Sequence, residues 1–190
     1  MLRRVLIGLL LVAVAGIACW WLLGRPGDGG GETVTPVPGP AAAMPGIPAD
    51  AFEMTVESVH DGDTLRARVA TPNAVVVDLE STRVRLLGID TPEISPELEC
   101  WGEEATAKLS ALAPPGSTIW VAPDVDVHDR YGRTLLYLWT ADGRFINGEL
   151  VAQGDARVEV YSPNRGQEGL LRSLEAAAMA APAGRWAACG

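Results

Sequence analysis

Carboxylates and arginines gather in three short stretches. The first is Asp61-Gly62-Asp63-Thr64. The second is "RLLGIDTPE", residues 85–93, where Arg85 opens an apolar run that breaks into Asp90, Thr91, Pro92 and Glu93. The third is Asp129-Arg130-Tyr131-Gly132-Arg133. A proline cannot donate to a sheet ladder, so a strand ending at Asp90 must stop there. The loop beyond it crowds negative charge, which either calls for a positive partner or sets one carboxylate up for chemistry. Each stretch also has an ordinary structural reading: a turn, a capped strand exit and a solvated hairpin.

The elements that must position these stretches follow from periodicity. Residues 52–59 ("FEMTVESV") alternate apolar and polar as a strand does. Asp61-Gly62 marks a turn, after which "LRARV" resumes the alternation. Residues 73–89 read as one or two strands, the last part apolar enough to be buried. Residues 100–113 have helical spacing and end before Pro114-Pro115. Residues 117–123 are a short strand. Residues 133–146 are expected as a hairpin turning at Asp142-Gly143. Residues 147–154 are expected as a short helix with Asn147 as N-cap and Gly154 at its end. Residues 156–161 are extended, and 169–181 form a helix before Pro182. Short strands with helices inserted and appended predict an α+β fold, a small barrel with helices packed on it. There is no internal repeat, no Gly-rich nucleotide loop after a strand and no Cys-X-X-Cys pair.

The N-terminal region stands apart. Residues 5–23 carry no charge and follow Arg3 and Arg4, which is close to the ~20 residues that span a bilayer. Trp20 and Trp21 sit where an interfacial belt would. A membrane anchor at 1–23 is the favoured reading. A cleaved signal segment and a lipid anchor at Cys19 are the alternatives. Arg3 and Arg4 would stay inside, leaving the rest extracytoplasmic. Residues 24–50 are rich in Gly, Pro and Ala and read as a flexible linker. The folded domain is then 51–190. Cys100 and Cys189 are an even pair in a domain placed outside the cytoplasm, so a disulfide between them is expected. The net charge of −9 argues against tight, charge-driven binding to nucleic acid.

Taken together, the motifs resemble the staphylococcal nuclease (thermonuclease) family. "DGDT", "VRLLGIDTPE", "DRYGR" and "INGELVAQGDARVEVYSPN" follow the family's order and spacing, and "LRSLEAAA" with Trp186 resembles its last helix. The resemblance runs from about Met54 to Trp186. It implies a five-stranded OB-fold barrel with three helices, and calcium-dependent phosphodiester hydrolysis of DNA and RNA. It also implies roles. Asp63 and Asp90 would be Ca²⁺ carboxylates and Thr91 would add its carbonyl. Glu93 would attend the attacking water. Arg85 and Arg133 would contact phosphate. Arg130, Tyr131 and Tyr161 would bind the nucleotide. Ca²⁺ is a hard cation that takes oxygen ligands, and arginine offers a planar fork to two phosphate oxygens.

The sequence also departs from the family. The loop after Glu93 ("ISPELECWGEEA") has no lysine, and Lys108 is the only lysine in the chain. Glu159 stands where a second tyrosine is expected, and Arg130 where a lysine is. These changes predict a nuclease that binds duplex DNA poorly; the expected substrate is single-stranded DNA or RNA, and the expected state is a monomer. The alternative is a catalytically weak, calcium-stabilised module that binds nucleic acid or protein. Asp61 is expected to shape the turn, His60 and His128 to be strand-end and loop residues, and Trp186 to dock the tail.

Overall fold

Alternation along the chain produces the strands. The computed structural model describes residues 43–189. The apolar run at 5–23, Cys19 and most of the Gly/Pro/Ala-rich stretch lie outside the described residues. Among the described residues, no helix is long and apolar enough to cross a membrane. Strand β1 (Phe52–Val59) buries Met54 and Val56 and turns Glu53 outward. Strand β2 (Thr64–Arg68) buries Leu65 and Ala67 and exposes Arg66 and Arg68. Strand β3 (Thr82–Leu86) buries Val84 and Leu86. Two-residue β4 (Ile89–Asp90), then β5 (Thr118–Ala122), β6 (Thr134–Thr140) and β7 (Arg157–Val158) complete the set.

The expected five-stranded barrel is present and closed, in the order β1-β2-β3-β6-β5. Its neighbours run antiparallel except at one place. β3 and β6 pair in parallel, with Val84 opposite Thr134 and Arg85 opposite Leu135. Parallel strands need a long crossover, here supplied by everything between them, including helix α1 (Gly102–Leu112) and β5. β4 and β7 form a separate antiparallel pair that sets Asp90 opposite Arg157. Helices α2 (Ile146–Ala152) and α3 (Glu168–Ala180) cover the barrel, and a one-turn helix α4 (Arg185–Ala188) closes the chain. The three helices expected are α1, α2 and α3. Leu65, Val84, Ile119, Leu136, Leu138 and Leu150 are wholly buried, each contributing about 1.5–3 kcal/mol of apolar burial.

Three local expectations are corrected. Residues 73–89 hold strand only at 82–86 and 89–90. The rest is loop, organised by Asn73, whose Oδ1 accepts the Val75 and Val76 N–H groups at 2.8 Å each. Residues 133–146 are not a full hairpin. The turn at Asp142-Gly143 forms, with Gly143 N–H donating to Thr140 O at 2.9 Å, but the return limb is one bridge, Trp139 to Phe145. The limb is short because Ile146 must already start α2, whose Ile146, Leu150 and Val151 fill the core. Asn147 is not the N-cap of that helix. It lies within the first turn, fully buried. Its Oδ1 accepts Leu138 N–H and its Nδ2 donates to Leu87 O, both at 2.9 Å. It thereby stitches α2 to β6 and to the turn that precedes Asp90.

Both ends of the domain are fastened. Trp139 Nε1 donates to Pro45 O at 2.9 Å, and Ile47 packs on the core. The expected disulfide joins Cys100, ahead of α1, to Cys189, with Cα atoms 5.9 Å apart. Gly154 makes the tail's approach possible. Its φ is +75°, and a Cβ there would sit 2.1 Å from Ala183 O, so only glycine fits.

Candidate active site

The Asp61-Gly62-Asp63 turn aims one carboxylate inward. Asp61 Oδ1 accepts Asp63 N–H at 3.0 Å, so Asp61 shapes the turn, as expected. A Cβ on Gly62 would lie 2.7 Å from Thr91 Oγ1 and 2.8 Å from the Ala105 Cβ. The turn therefore presses against the strand exit and α1 at a distance only glycine allows. Asp63 is buried there. Its Oδ2 accepts Thr91 N–H at 2.9 Å and the Thr91 hydroxyl at 3.2 Å.

Arg85 links the two acidic stretches. Its Nη1 is 2.9 Å from Asp63 Oδ2 and its Nη2 is 3.0 Å from Asp90 Oδ1. Nη1 also donates to Ile89 O at 2.8 Å. The other Asp90 oxygen is taken by Arg157, at 2.8 Å from Nη2 and 3.0 Å from Nε. Burial pushes the Asp63 carboxyl up to about 7, and the charges of Asp61 and Asp90 push the same way against the pull of Arg85. Glu93, next along the loop, is also raised, by burial first and then by Asp61 and Asp90.

These residues border an open cleft of about 580 Å³. Arg85, Asp90, Glu93, Arg130, Tyr131, Arg133, Glu159 and Tyr161 all line it, while Asp63 and Thr91 sit behind that wall. Tyr131 and Tyr161 expose 61% and 70% of their surface, so both rings are open to a ligand. Asp129 organises the third stretch. Its Oδ1 accepts the N–H groups of Tyr131 and Arg133 at 2.9 Å, and its Oδ2 holds Arg133 Nε at 2.6 Å. That leaves the terminal nitrogens of Arg133 with no hydrogen bond among the described residues. Burial pushes the Asp129 carboxyl up, but these hydrogen bonds outweigh it and hold it below the usual range. The Arg130 and Arg133 guanidiniums lie 4.7 and 5.5 Å from the Tyr131 ring centre, within cation–π range. His128 lines the cleft as a loop residue; His60 lies outside it.

Residues that sequence reasoning missed hold the set in place. Arg157 neutralises Asp90 from β7; the alternation in "ARVEVY", which puts Arg157, Glu159 and Tyr161 on one face, was the available signal. Asn164 clamps the cleft loop, accepting Asp126 N–H at 2.7 Å and donating to Asp126 O at 2.9 Å.

The donor chemistry suits calcium. Asp63, Asp90 and the Thr91 carbonyl are hard oxygen donors. Asp63 and Glu93 are each raised by burial first, and the charges of Asp61 and Asp90 add to both. Among the described residues no three His, Cys, Asp or Glu side chains converge as a metal-holding group. Calcium would thus take two carboxylates and a carbonyl, with water filling the remainder of its six to eight places.

A family model described as staphylococcal nuclease homologue matches residues 83–188. The chain is similar to a thermonuclease of Staphylococcus intermedius, 31% identical over 118 residues that cover 60% of this chain and 69% of that protein. It is also similar to endonuclease YncB of Bacillus subtilis, 32% identical over 115 residues, 58% of this chain and 50% of that one. A third relative is the SPbeta prophage-derived endonuclease YokF of the same organism, 34% identical over 116 residues, 59% of this chain and 36% of that one. The chain thus spans half or less of the two Bacillus proteins.

Proposed function

Because this chain belongs to the staphylococcal nuclease family, we propose that it is a calcium-dependent nuclease, hydrolysing DNA and RNA and preferring single strands. The carrying observation is that Glu93, Arg133, Tyr131 and Tyr161 line one cleft together with Arg85 and Asp90, and Arg85 ties that wall to Asp63 behind it. Held by Asp63, Asp90 and the Thr91 carbonyl, calcium would supply charge neutralisation at the phosphodiester and a site for water.

The chain's own residues do the rest. Glu93 takes a proton from the attacking water, and a raised carboxyl is a better base at neutral pH than an ordinary one. Arg133, held by Asp129 through Nε, presents its two terminal nitrogens to phosphate oxygens. Arg85 joins it as charge grows on the phosphoryl group. Tyr131 and Tyr161 offer open ring faces, and unstacked bases lie on such faces. That and the net charge of −9 support single strands over duplex, whose tight binding needs a basic face.

The Cys100–Cys189 disulfide and the apolar run at 5–23 support a tethered protein acting outside the cytoplasm. The second reading, a calcium-stabilised binding module, draws on Arg85, whose terminal nitrogens are both occupied by carboxylates.

The test incubates the protein with heat-denatured DNA, in calcium and in chelator, beside Glu93→Gln. Cleavage that needs calcium and falls about 10²–10⁴-fold in the variant is expected. No cleavage, with calcium still raising Tm, would establish the binding module instead.

A further inference from the structure

A second cavity, of about 190 Å³, lies on the barrel wall beside the cleft, lined by Ser58, His60, Arg66 and Arg83 among others. Arg66 and Arg83 face each other directly across β2 and β3. Like charges in that position destabilise a sheet. Neither arginine makes an ion pair among the described residues. Arg66 reaches only the Ser81 hydroxyl, at 3.5 Å. The next arginine on that face, Arg68, is neutralised by Glu57 at 3.4 Å. A chain with 24 acids against 15 basic residues thus leaves two facing cations without a counter-ion.

Their place relative to the active cleft is fixed by register. Arg85 pairs with Thr64, and Arg83 with Arg66. Side chains two apart on a strand share a face and lie about 7 Å apart. Arg83 and Arg66 are therefore the next outward-facing step beyond Arg85, along the barrel and away from Glu93. An anion bridging the two arginines would relieve their repulsion, with the Ser58 hydroxyl and His60 at hand as donors.

We propose that Arg66 and Arg83, with Ser58 and His60, form a phosphate subsite that holds the substrate's phosphodiester backbone beyond the bond being cut. The proposal rests on the reading of the chain as a nuclease. It gives an acidic protein a local basic track that leads a strand to Arg85.

The test uses the whole protein and the double variant Arg66→Gln/Arg83→Gln, with Arg68→Gln as control. Binding of a long single strand is measured in chelator, where cleavage is absent, over a range of salt. The double variant should bind about tenfold more weakly, the loss of one charge-assisted contact. Its slope of log affinity against log salt should be shallower by about 0.7, one phosphate's worth. In calcium, the ratio of KM for the long strand to KM for a dinucleotide diester should rise about tenfold. Its Tm should be no lower than that of the wild type, because both side chains are exposed and repel each other. Arg68→Gln should match the wild type in every readout. Affinity and salt slope equal to the wild type in the double variant would overturn the subsite. Absence of wild-type cleavage, with the slope change intact, would instead remove the nuclease reading and keep an anion site.

Discussion

Arg133 illustrates why the residue type matters as much as its charge. Its Nε is spent on Asp129, so the group proposed to meet a phosphate is a fork fixed in direction. Lysine can supply either the anchor or the contact, not both. Arg133→Lys should lower kcat/KM about tenfold or more, the worth of one charge-assisted hydrogen bond. An unchanged kcat/KM on denatured DNA would show that the fork has no role. The anchor itself is pH-sensitive. Asp129 is depressed in the fold, so its stabilising contribution is full above the unfolded value of about 3.9 and is lost as pH falls through the folded value. Asp129→Asn should melt below the wild type at neutral pH, and the gap should close below about pH 4. A gap constant with pH would mean that the carboxylate's charge contributes nothing. Arg85, Asp90, Glu93 and Arg133, which line one cleft, were legible as candidates because each sits in a local motif. Arg157 was not, because its partner Asp90 is joined to it only by the pairing of β4 with β7.

At the level of elements, the alternating strands and the long helices were read from the sequence nearly where they stand. The misreadings fall where tertiary contact overrides local pattern. Asn147 has the side chain of a helix cap and comes just after an apolar run. It instead satisfies two backbone groups of other elements, Leu138 N–H and Leu87 O, and no local rule foresees partners that distant. Removing that side chain strands two buried polar groups at about 1–3 kcal/mol each. Asn147→Ala should therefore cost about 2–6 kcal/mol in urea unfolding, a loss that would place it among the severe substitutions. A loss below 1 kcal/mol would show that water takes over both bonds. The same change should weaken activity, since Leu87 belongs to the turn that delivers Asp90.

For the molecule as a whole, the disulfide spans 89 residues and draws the tail against the loop that follows Glu93. A loop of that length constrains the unfolded chain by about 4–5 kcal/mol in the entropic account. Reduction, or Cys100→Ser with Cys189→Ser, should lower Tm by several degrees or more, and a Tm unmoved by reductant would show that packing alone holds the tail. The seam between β3 and β6 has a consequence of another kind. It is the barrel's one parallel pairing, and it joins Arg85 to the strand that begins just after Arg133. Distant pairings of this sort carry a loop-closure cost before any contact rewards them, and they form slowly. That pairing brings Arg85 and Arg133, the proposed phosphate contacts, to one cleft, so a refolding chain is expected to recover cleavage no earlier than it completes its barrel. Until then the proposed catalytic cleft is incomplete.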